Sequence, residues 1–195
     1  MVQGGRRGRG VARLVGATLI ASALWSAAVA GVSAQTAYPL PEVAAANAPI
    51  DAPAAELQLF DLINLLRMEH GRAPLEWDAA LTDLAYARNL DMIERRYFSH
   101  DIPDIGFAPF WLKSQLPRAL GAGENLGMSD EPNPFVVGSL YNSWVASPTH
   151  LENMLRPEWN RIGVGLNEVP SYFPGVTLKY VTQVFAVASG PLTRL

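Results

Sequence analysis

The sequence predicts an α+β fold, because segments with helical periodicity fill most of its length and strand patterns close it. In residues 161–167, Ile162, Val164 and Leu166 alternate with arginine and glycine, which is the period of a half-buried strand. Residues 177–188 are largely apolar on both faces, which is typical of a central strand. Helices followed by a late antiparallel hairpin favour α+β over a doubly wound sheet.

The first predicted helix covers residues 56–70 and ends at Gly71, a residue type that tolerates the left-handed backbone of a helix end. Its apolar side chains leave Asp61, Asn64 and Arg67 as a narrow polar stripe, so this helix is expected to be mostly buried. The other helical segments follow cap residues or precede prolines: a long helix after Asp78, a turn over residues 111–116, a helix from Asn133-Pro134 and a short helix from Ser147-Pro148.

Two connections are predicted as loops. Residues 168–175 carry two prolines and join the two strands. The stretch GAGENLG, residues 121–127, places Glu124 and Asn125 among three glycines and is expected to form a tight turn. Either Glu124 faces water as a turn residue, or the glycines bring the backbone close to a group that the carboxylate touches.

The first 34 residues have the pattern of a secretory signal peptide. Four arginines precede an apolar run over residues 14–30, and the small residues that follow predict cleavage after Ala34, with Ala30 as the alternative. The other interpretation is an uncleaved membrane anchor, which the short apolar run and the small-residue ends disfavour. Once the signal is removed, no transmembrane span is expected.

The mature chain would consist of a Pro/Ala-rich linker, residues 35–55, and one folded domain, residues 56–190. Without the four arginines of residues 1–34, eleven basic residues remain against eighteen acidic ones, a net charge of −7. This acidic balance argues against a nucleic-acid partner. The absence of cysteine excludes a disulfide framework, a thiolate metal site and a cysteine nucleophile.

Several common catalytic motifs are absent, namely H-E-x-x-H, G-x-S-x-G and the phosphate-binding loop. Of the three histidines, His70 stands at a helix end and is interpreted as structural. The remaining constellation is Glu124 with His100, and His150 as a further member. Imidazoles with a carboxylate suit either a divalent metal or a general acid–base pair.

The chain contains five segments in this order: NLLRMEHGRAPLEWDAAL, YFSHDIPD, GENLG, WVASPTHLENML and IGVGL…YVTQVFA. They resemble the bacterial branch of the CAP superfamily, named after cysteine-rich secretory proteins, antigen 5 and pathogenesis-related 1 proteins, and also called the SCP domain. The resemblance covers residues 56–188. It implies a three-layer α-β-α sandwich with a small antiparallel sheet, and a secreted protein that works in the periplasm or outside the cell.

The animal and plant members of this family have a cavity with two histidines and two glutamates, and some bind a divalent metal such as zinc. The resemblance assigns His100 to the first histidine and Glu124 to the first glutamate, with Asn125 beside it in the cavity. Each of these residues has a structural alternative, in which it only fastens loops to helices.

The other two cavity positions depart from the family pattern. Tyr180 replaces the second histidine in a motif that ends at Gln183, and Ser147 replaces the second glutamate. His150, in the S-P-x-H-x-x-N motif of bacterial relatives, is the candidate to fill the cavity instead. The candidate metal ligands are then His100, Glu124 and His150, and the loss of two family ligands disfavours strong zinc binding.

Three functions remain open at this stage. The first is a secreted binding module for a small ligand, a lipid, a cell-wall component or a divalent metal. The second is a hydrolase on peptide or glycan that uses His100 and Glu124 as an acid–base pair. The third is a non-catalytic scaffold of the cell envelope or of a stress response.

Overall fold

The computed structural model describes residues 50–194, except for the side chain of Ser171. The predicted signal peptide and residues 35–49 of the predicted linker lie outside this part of the chain. The elements are α1 (Ala52–Glu69), β1 (Glu76–Trp77), α2 (Ala79–Arg95), β2 (Asp101–Ile102), β3 (Gly106–Phe107), α3 (Ala108–Gln115), β4 (Gly121–Ser129), α4 (Asn133–Ala146), α5 (Pro148–Leu155), β5 (Arg161–Phe173) and β6 (Val176–Val187). None of the helices in residues 50–194 is long and apolar enough to cross a membrane.

The main sheet has four strands in the order β1-β5-β6-β4, so β4 forms one edge. β6 pairs antiparallel with both β5 and β4, while the two-residue strand β1 runs parallel to β5. β2 and β3 form a separate antiparallel ribbon. Helices cover both faces of the main sheet, so the fold is an α-β-α sandwich of the α+β class.

The two helical layers use alternate residues of the sheet. α1, α4 and α5 cover one face, where their apolar side chains pack against Ile162, Val164 and Phe185. α2 and α3 cover the other face, where they pack against Val184 and Ala186. Successive side chains of a strand point to opposite faces, so β6 contributes to both cores. The prediction of a central strand over this segment is confirmed.

β5 is buried on both faces and is not the half-buried strand that its alternation predicts. Gly163 and Gly165 point toward α2, which packs directly on the glycine backbone. A Cβ atom at Gly163 would lie 2.1 Å from the backbone nitrogen of Thr82. The glycines therefore form the docking face for a helix, because any side chain there would push α2 away from the sheet.

Both stretches predicted as loops are strands, and these two predictions are wrong. Residues 121–127 begin β4, and none of their three glycines has a left-handed backbone. Residues 168–173 continue β5 with a register shift between Val169 and Phe173, so only a short turn remains before β6. Pairing with β6 supplies the hydrogen bonds that override the weak strand propensity of glycine, and Pro170 lies within the register shift of β5.

The glycines of β4 make room for tryptophan rings on the α1, α4 and α5 side of the sheet. A Cβ atom at Gly123 would lie 2.8 Å from the Trp159 ring, and one at Gly127 would lie 2.7 Å from the Trp144 ring. Glu124 lies between them in sequence and points to the opposite face. The close approach that the glycines permit is thus to indole rings and not to the carboxylate.

α1 begins at Ala52, before its predicted start at residue 56. Asp51 caps it by accepting a hydrogen bond from the Ala54 N–H. Pro53 lies in the first turn, where no N–H is needed for helix pairing. The proline thus opens the helix, although its sequence context predicts a linker.

The polar stripe predicted for α1 is wrong at Arg67, which is 0% exposed. Its guanidinium ties α1 to the end of α5 and to the segment that follows by donating to main-chain carbonyls. The four acceptors are the carbonyl oxygens of Ala73, Met154, Arg156 and Trp159.

Candidate functional site

A cavity of about 380 Å³ lies against the edge strand β4 and is called the β4 cavity below. Phe107 and Trp159 form aromatic walls, and the imidazoles of His100 and His150 also line it. Part of its wall is β4 itself, through residues 122–125. Its remaining lining residues are Pro109, Thr149, Glu152, Asn153 and Arg156.

Glu124 is the buried acid of this cavity, and Arg88 of α2 holds its carboxylate. The side chains of Glu124 and Arg88 are 0% and 1% exposed. Arg88 Nε donates to Glu124 Oε2 at 2.7 Å, and Arg88 Nη2 donates to Oε1 at 3.4 Å. Such a charge-assisted pair neutralises a carboxylate that would be costly to bury alone.

His100 is the second partner of Glu124. Its Nδ1 lies 2.9 Å from Glu124 Oε1, and it carries the proton because an ionised carboxylate only accepts hydrogen bonds. The His100 side chain is 41% exposed, so Nε2 is the ring nitrogen that a ligand can reach. The Phe107 ring packs edge-on against the imidazole, with ring centroids 6.5 Å apart.

Behind the carboxylate, Arg88 is fixed by two further acceptors. It donates to the Tyr97 hydroxyl at 2.7 Å and to the Ser99 carbonyl at 2.9 Å. The Tyr97 hydroxyl in turn donates to Asp91. Burial by itself lowers the pKa of Arg88, but the hydrogen bonds and charges of Glu124 and Tyr97 outweigh burial and raise it. Arg88 is therefore a permanent cation directly behind the cavity wall.

Asn125 points to the opposite face of β4 from Glu124 and begins a network of side-chain amides. Its Nδ2 donates to Gln183 Oε1 at 3.0 Å, and its Oδ1 accepts from Asn153 Nδ2 at 2.9 Å. Asn153 Nδ2 also donates to the Glu124 carbonyl at 3.1 Å, and its Oδ1 accepts from Trp159 Nε1 at 3.1 Å. These bonds fasten α5 to the edge of β4 and orient the Trp159 ring in the cavity wall.

His150 lines the cavity from α5 and makes no recorded contact with Glu124. Its carbonyl accepts a hydrogen bond from Asn125 Nδ2 at 3.2 Å. Its Nδ1 is buried and has no hydrogen-bond partner among the described residues. Burial lowers the pKa of His150, and the nearby charge of His100 lowers it further. The neutral imidazole is thereby favoured, which has one donor and one acceptor nitrogen.

A family model described as the Cysteine-rich secretory protein family (CAP) matches residues 60–185, most of the described part of the chain. The chain belongs to the CAP family. The family and fold predicted from the five sequence segments are thereby confirmed. The CAP match spans all the elements that contribute to the β4 cavity.

Three proteins similar to this CAP chain come from two Bacillus species. The chain is 34% identical over 123 residues to the uncharacterized protein YkwD of Bacillus subtilis, covering 63% of this chain and 46% of YkwD. It is 31% identical over 131 residues to the uncharacterized membrane protein YlbC of the same organism, covering 67% and 34%. A solved extracellular protein containing a SCP domain from Bacillus anthracis is 31% identical, with a TM-score of 0.54, covering 70% and 41%. The chain thus spans less than half the length of each.

Four of the seven predicted cavity residues of this CAP domain line the β4 cavity: His100, Glu124, Asn125 and His150. The other three do not. Gln183 lies behind Asn125 and is 0% exposed. Tyr180 belongs to a separate core cluster on the α2 face, because alternate side chains of β6 point to opposite faces. Ser147 precedes α5, and its hydroxyl lies 3.3 Å from that of Thr149.

Sequence reasoning missed the aromatic walls Phe107 and Trp159, and it also missed Arg88, although a signal for Arg88 existed. Leu81, Leu84 and Met92 are buried on one face of α2, and Arg88 occupies a position on the same face. An arginine is almost never fully buried without a partner, so this position predicts a buried acid nearby. Spacing alone does not identify that acid as Glu124, which lies 36 residues away.

The donor set of this CAP domain fits a divalent metal poorly. Both oxygens of Glu124 already accept hydrogen bonds from Arg88 or His100. A metal ion bound to that carboxylate would lie beside the guanidinium and be repelled by it. Within residues 50–194, no group of three or more His, Cys, Asp or Glu side chains is arranged to hold a metal ion. A metal held by His100, Glu124 and His150 would therefore have to share the carboxylate with the Arg88 guanidinium.

Proposed function

We propose that this CAP domain is a secreted binding module that takes a small uncharged organic molecule in the β4 cavity without a metal ion. One observation carries the proposal. The buried acid of the cavity is already neutralised by Arg88, while the cavity wall keeps aromatic and hydrogen-bonding groups. An ion pair that is complete within the protein leaves the Glu124 carboxylate with no unpaired charge for a ligand, and the other charged lining residues, Glu152 and Arg156, are opposite in sign and sum to zero.

The lining residues indicate which kind of ligand fits the cavity. Phe107 and Trp159 offer apolar ring surfaces, and His100 Nε2 and the Thr149 hydroxyl offer hydrogen bonds. A cavity of about 380 Å³ lies at the small end of the range for ligand sites. A molecule with a compact apolar body and one or two hydrogen-bonding groups fits these features.

Two observations support action outside the cytoplasm. Residues 1–34 have the pattern of a signal peptide, although they lie outside the described residues. The similar protein from Bacillus anthracis is described as extracellular. Peptide mapping of the protein from culture supernatant and cell fractions would test this, and we expect an N-terminus at residue 35 or 31.

The binding function is testable by titration followed by ¹H–¹⁵N correlation NMR. The probes are acetyl-alanine amide, N-acetylglucosamine and n-octanol, which represent amide, hydroxyl-rich and aliphatic ligands. We expect at least one probe to shift the signals of Gly123 and the Trp159 indole in the presence of a chelator. The proposal fails when no probe shifts them, or when shifts need an added metal.

A matched pair of variants locates the site. Phe107→Ala removes a cavity wall and is expected to weaken binding about fivefold, because an aromatic contact contributes on the order of 1 kcal/mol. Phe173→Ala removes an aromatic ring that is 59% exposed and lies outside the cavity, so it should leave binding unchanged. Equal losses in both variants would place the ligand elsewhere.

The His100–Glu124 contact favours hydrolysis of a peptide or glycan as a second candidate function. A buried carboxylate that orients a partly exposed imidazole is the arrangement of a general base. Glu124 is fully buried, so it would position His100, and a water molecule would be the nucleophile.

Mass spectrometry of a tetrapeptide and of chitotetraose after incubation with the protein tests the hydrolase. Products should form with the parent and with Phe173→Ala, and should not form with His100→Ala. Absence of product with the parent, or product formation that survives His100→Ala, rejects this candidate.

A further inference from the structure

A second concave surface lies along α5 and is called the α5 groove below. Its volume is about 740 Å³. Leu151 and Leu155 give it an aliphatic floor. Its charged lining residues are Arg72, Glu152, Arg156 and Glu158.

The α5 groove adjoins the β4 cavity. Glu152 and Arg156 line both of them, so the two surfaces meet at these side chains. The Arg156 guanidinium lies over the ring of Trp159, 5.2 Å from its centroid. The charged junction is thus in contact with the aromatic wall of the cavity.

We propose that the β4 cavity and the α5 groove form one continuous track that binds a short extended peptide carrying both acidic and basic side chains. This inference rests on the proposed binding function and names its ligand class. The peptide places a small uncharged part in the cavity and its charged side chains along the groove.

The charges of the groove fit such a peptide. Two arginines and two glutamates line it, and no ion pair found within residues 50–194 involves any of them. They are therefore available to a ligand that carries both signs of charge. The aliphatic floor suits the methylene stems of long charged side chains. A neutral glycan would use neither the positive nor the negative groups.

The edge of β4 fits a peptide backbone. The carbonyl of Glu124 accepts from Asn153, and the carbonyl of Leu126 accepts from Trp144 Nε1 at 2.9 Å. Backbone groups at these alternate positions therefore face away from β6. Ala122 lines the cavity and has the same parity, so its N–H and C=O face outward as well. Because the carbonyls of Glu124 and Leu126 already accept from protein side chains, an amide group of a ligand is the matched partner for the N–H and C=O of Ala122.

The test compares three probes by ¹H–¹⁵N correlation NMR: acetyl-Ala-Glu-Lys-Ala-amide, acetyl-alanine amide and chitotetraose. We expect the tetrapeptide to shift the cavity signals of Gly123 and Trp159 together with the groove signals of Leu151 and Leu155. Both sets should follow one dissociation constant. Acetyl-alanine amide should shift the cavity signals alone, because it is too short to reach the groove.

A charge-reversal pair sharpens the test. Glu158→Lys, at an exposed residue that lines the groove and not the cavity, is expected to weaken tetrapeptide binding about threefold to fivefold, the range for one exposed ion pair. It should leave the affinity for acetyl-alanine amide unchanged. Glu94→Lys makes the same charge change at an exposed position of α2 and should affect neither probe.

The outcomes separate this inference from the proposed function. Tetrapeptide shifts confined to one set of signals, or chitotetraose shifts in both sets, overturn the peptide track. If acetyl-alanine amide still shifts the cavity signals in that case, the binding function stands without the track. If none of the small probes shifts the cavity signals, both proposals are wrong.

Discussion

Two arginines are buried on opposite sides of the sheet, and they are held in different ways. Arg67, on the α1 and α5 side, donates to four main-chain carbonyls and has no carboxylate partner within residues 50–194. Arg88, on the α2 side, pairs with the carboxylate of Glu124 and the hydroxyl of Tyr97. Burial, and then the charge of Arg72, lower the pKa of Arg67, whereas the pKa of Arg88 is raised.

The difference separates an arginine with a structural role from an arginine that sets the charge of the cavity. Arg67 joins α1 to the end of α5 through neutral acceptors, so its role is to hold backbone segments together. Arg88 neutralises the acid of the β4 cavity and fixes the carboxylate that orients His100. Substitutions of the two arginines should therefore differ in which second substitution restores stability. They should also differ in whether the β4 cavity keeps its affinity for a ligand.

The largest effect is expected for Arg88→Met, a loss of about 3–5 kcal/mol in unfolding free energy, because Glu124 would stay buried without a counter-charge. Urea unfolding followed by circular dichroism measures it. The double variant Arg88→Met/Glu124→Gln should recover much of the loss, since the unpaired charge is gone. A double variant no more stable than Arg88→Met would show that the two side chains do not act as a pair.

Arg67→Met should lose about 2–3 kcal/mol in the same assay, because buried carbonyls lose their donors. Arg67→Lys should recover only part of this, since one ammonium cannot reach all four carbonyls. The β4 cavity should keep its affinity for the small probes as long as the variant is folded. Loss of probe binding in a folded Arg67→Met variant would show that Arg67 also affects the cavity and that its role is not only structural.

Tyr97→Phe should cost about 1 kcal/mol, because its hydroxyl links Arg88 to Asp91. The effect should vanish when Arg88 is already replaced by Met, which a double-mutant cycle detects. Additive losses in that cycle would mean that Tyr97 stabilises the fold independently of Arg88.

The smallest effect concerns pH and His150. Its folded-state pKa is lowered, so the unfolded chain binds the proton more readily. The stability that this contributes is present above the ordinary value of about 6.5 and is lost as pH falls through the lower folded value. The unfolding free energies of the parent and of His150→Asn are measured over a range of pH. Subtracting the second set from the first isolates the pH-dependent contribution of His150 to stability. A difference that grows as pH falls would contradict the assigned direction.

Much of the fold follows from local patterns. Asp78 caps α2 as its sequence position predicts, and the apolar residues of β6 form a central strand. The strand identity of β4 could not be predicted from residues 121–127, because its pairing with β6 involves residues about 60 positions away and overrides glycine propensity. The role of the glycine face of β5 could not be predicted from its own residues, because it depends on the packing of α2 against it.

The site was predictable in type and not in detail. His100 and Glu124 are found in contact, as the family resemblance implies. The neutralising role of Arg88 depends on a long-range contact that no periodicity encodes. Tyr180 shows the converse case, because its position in a motif suggests the cavity while the two-residue period of β6 sends it to the other face.

The most direct test of the central claim is a thermal melt of the parent and of Glu124→Gln, first with a chelator and then with zinc added. The account predicts that zinc shifts the parent's melting temperature by no more than about 1 °C, because Arg88 already occupies the carboxylate. A rise of several degrees in the parent that disappears in Glu124→Gln would contradict it. That result would mean that the cavity is a metal site.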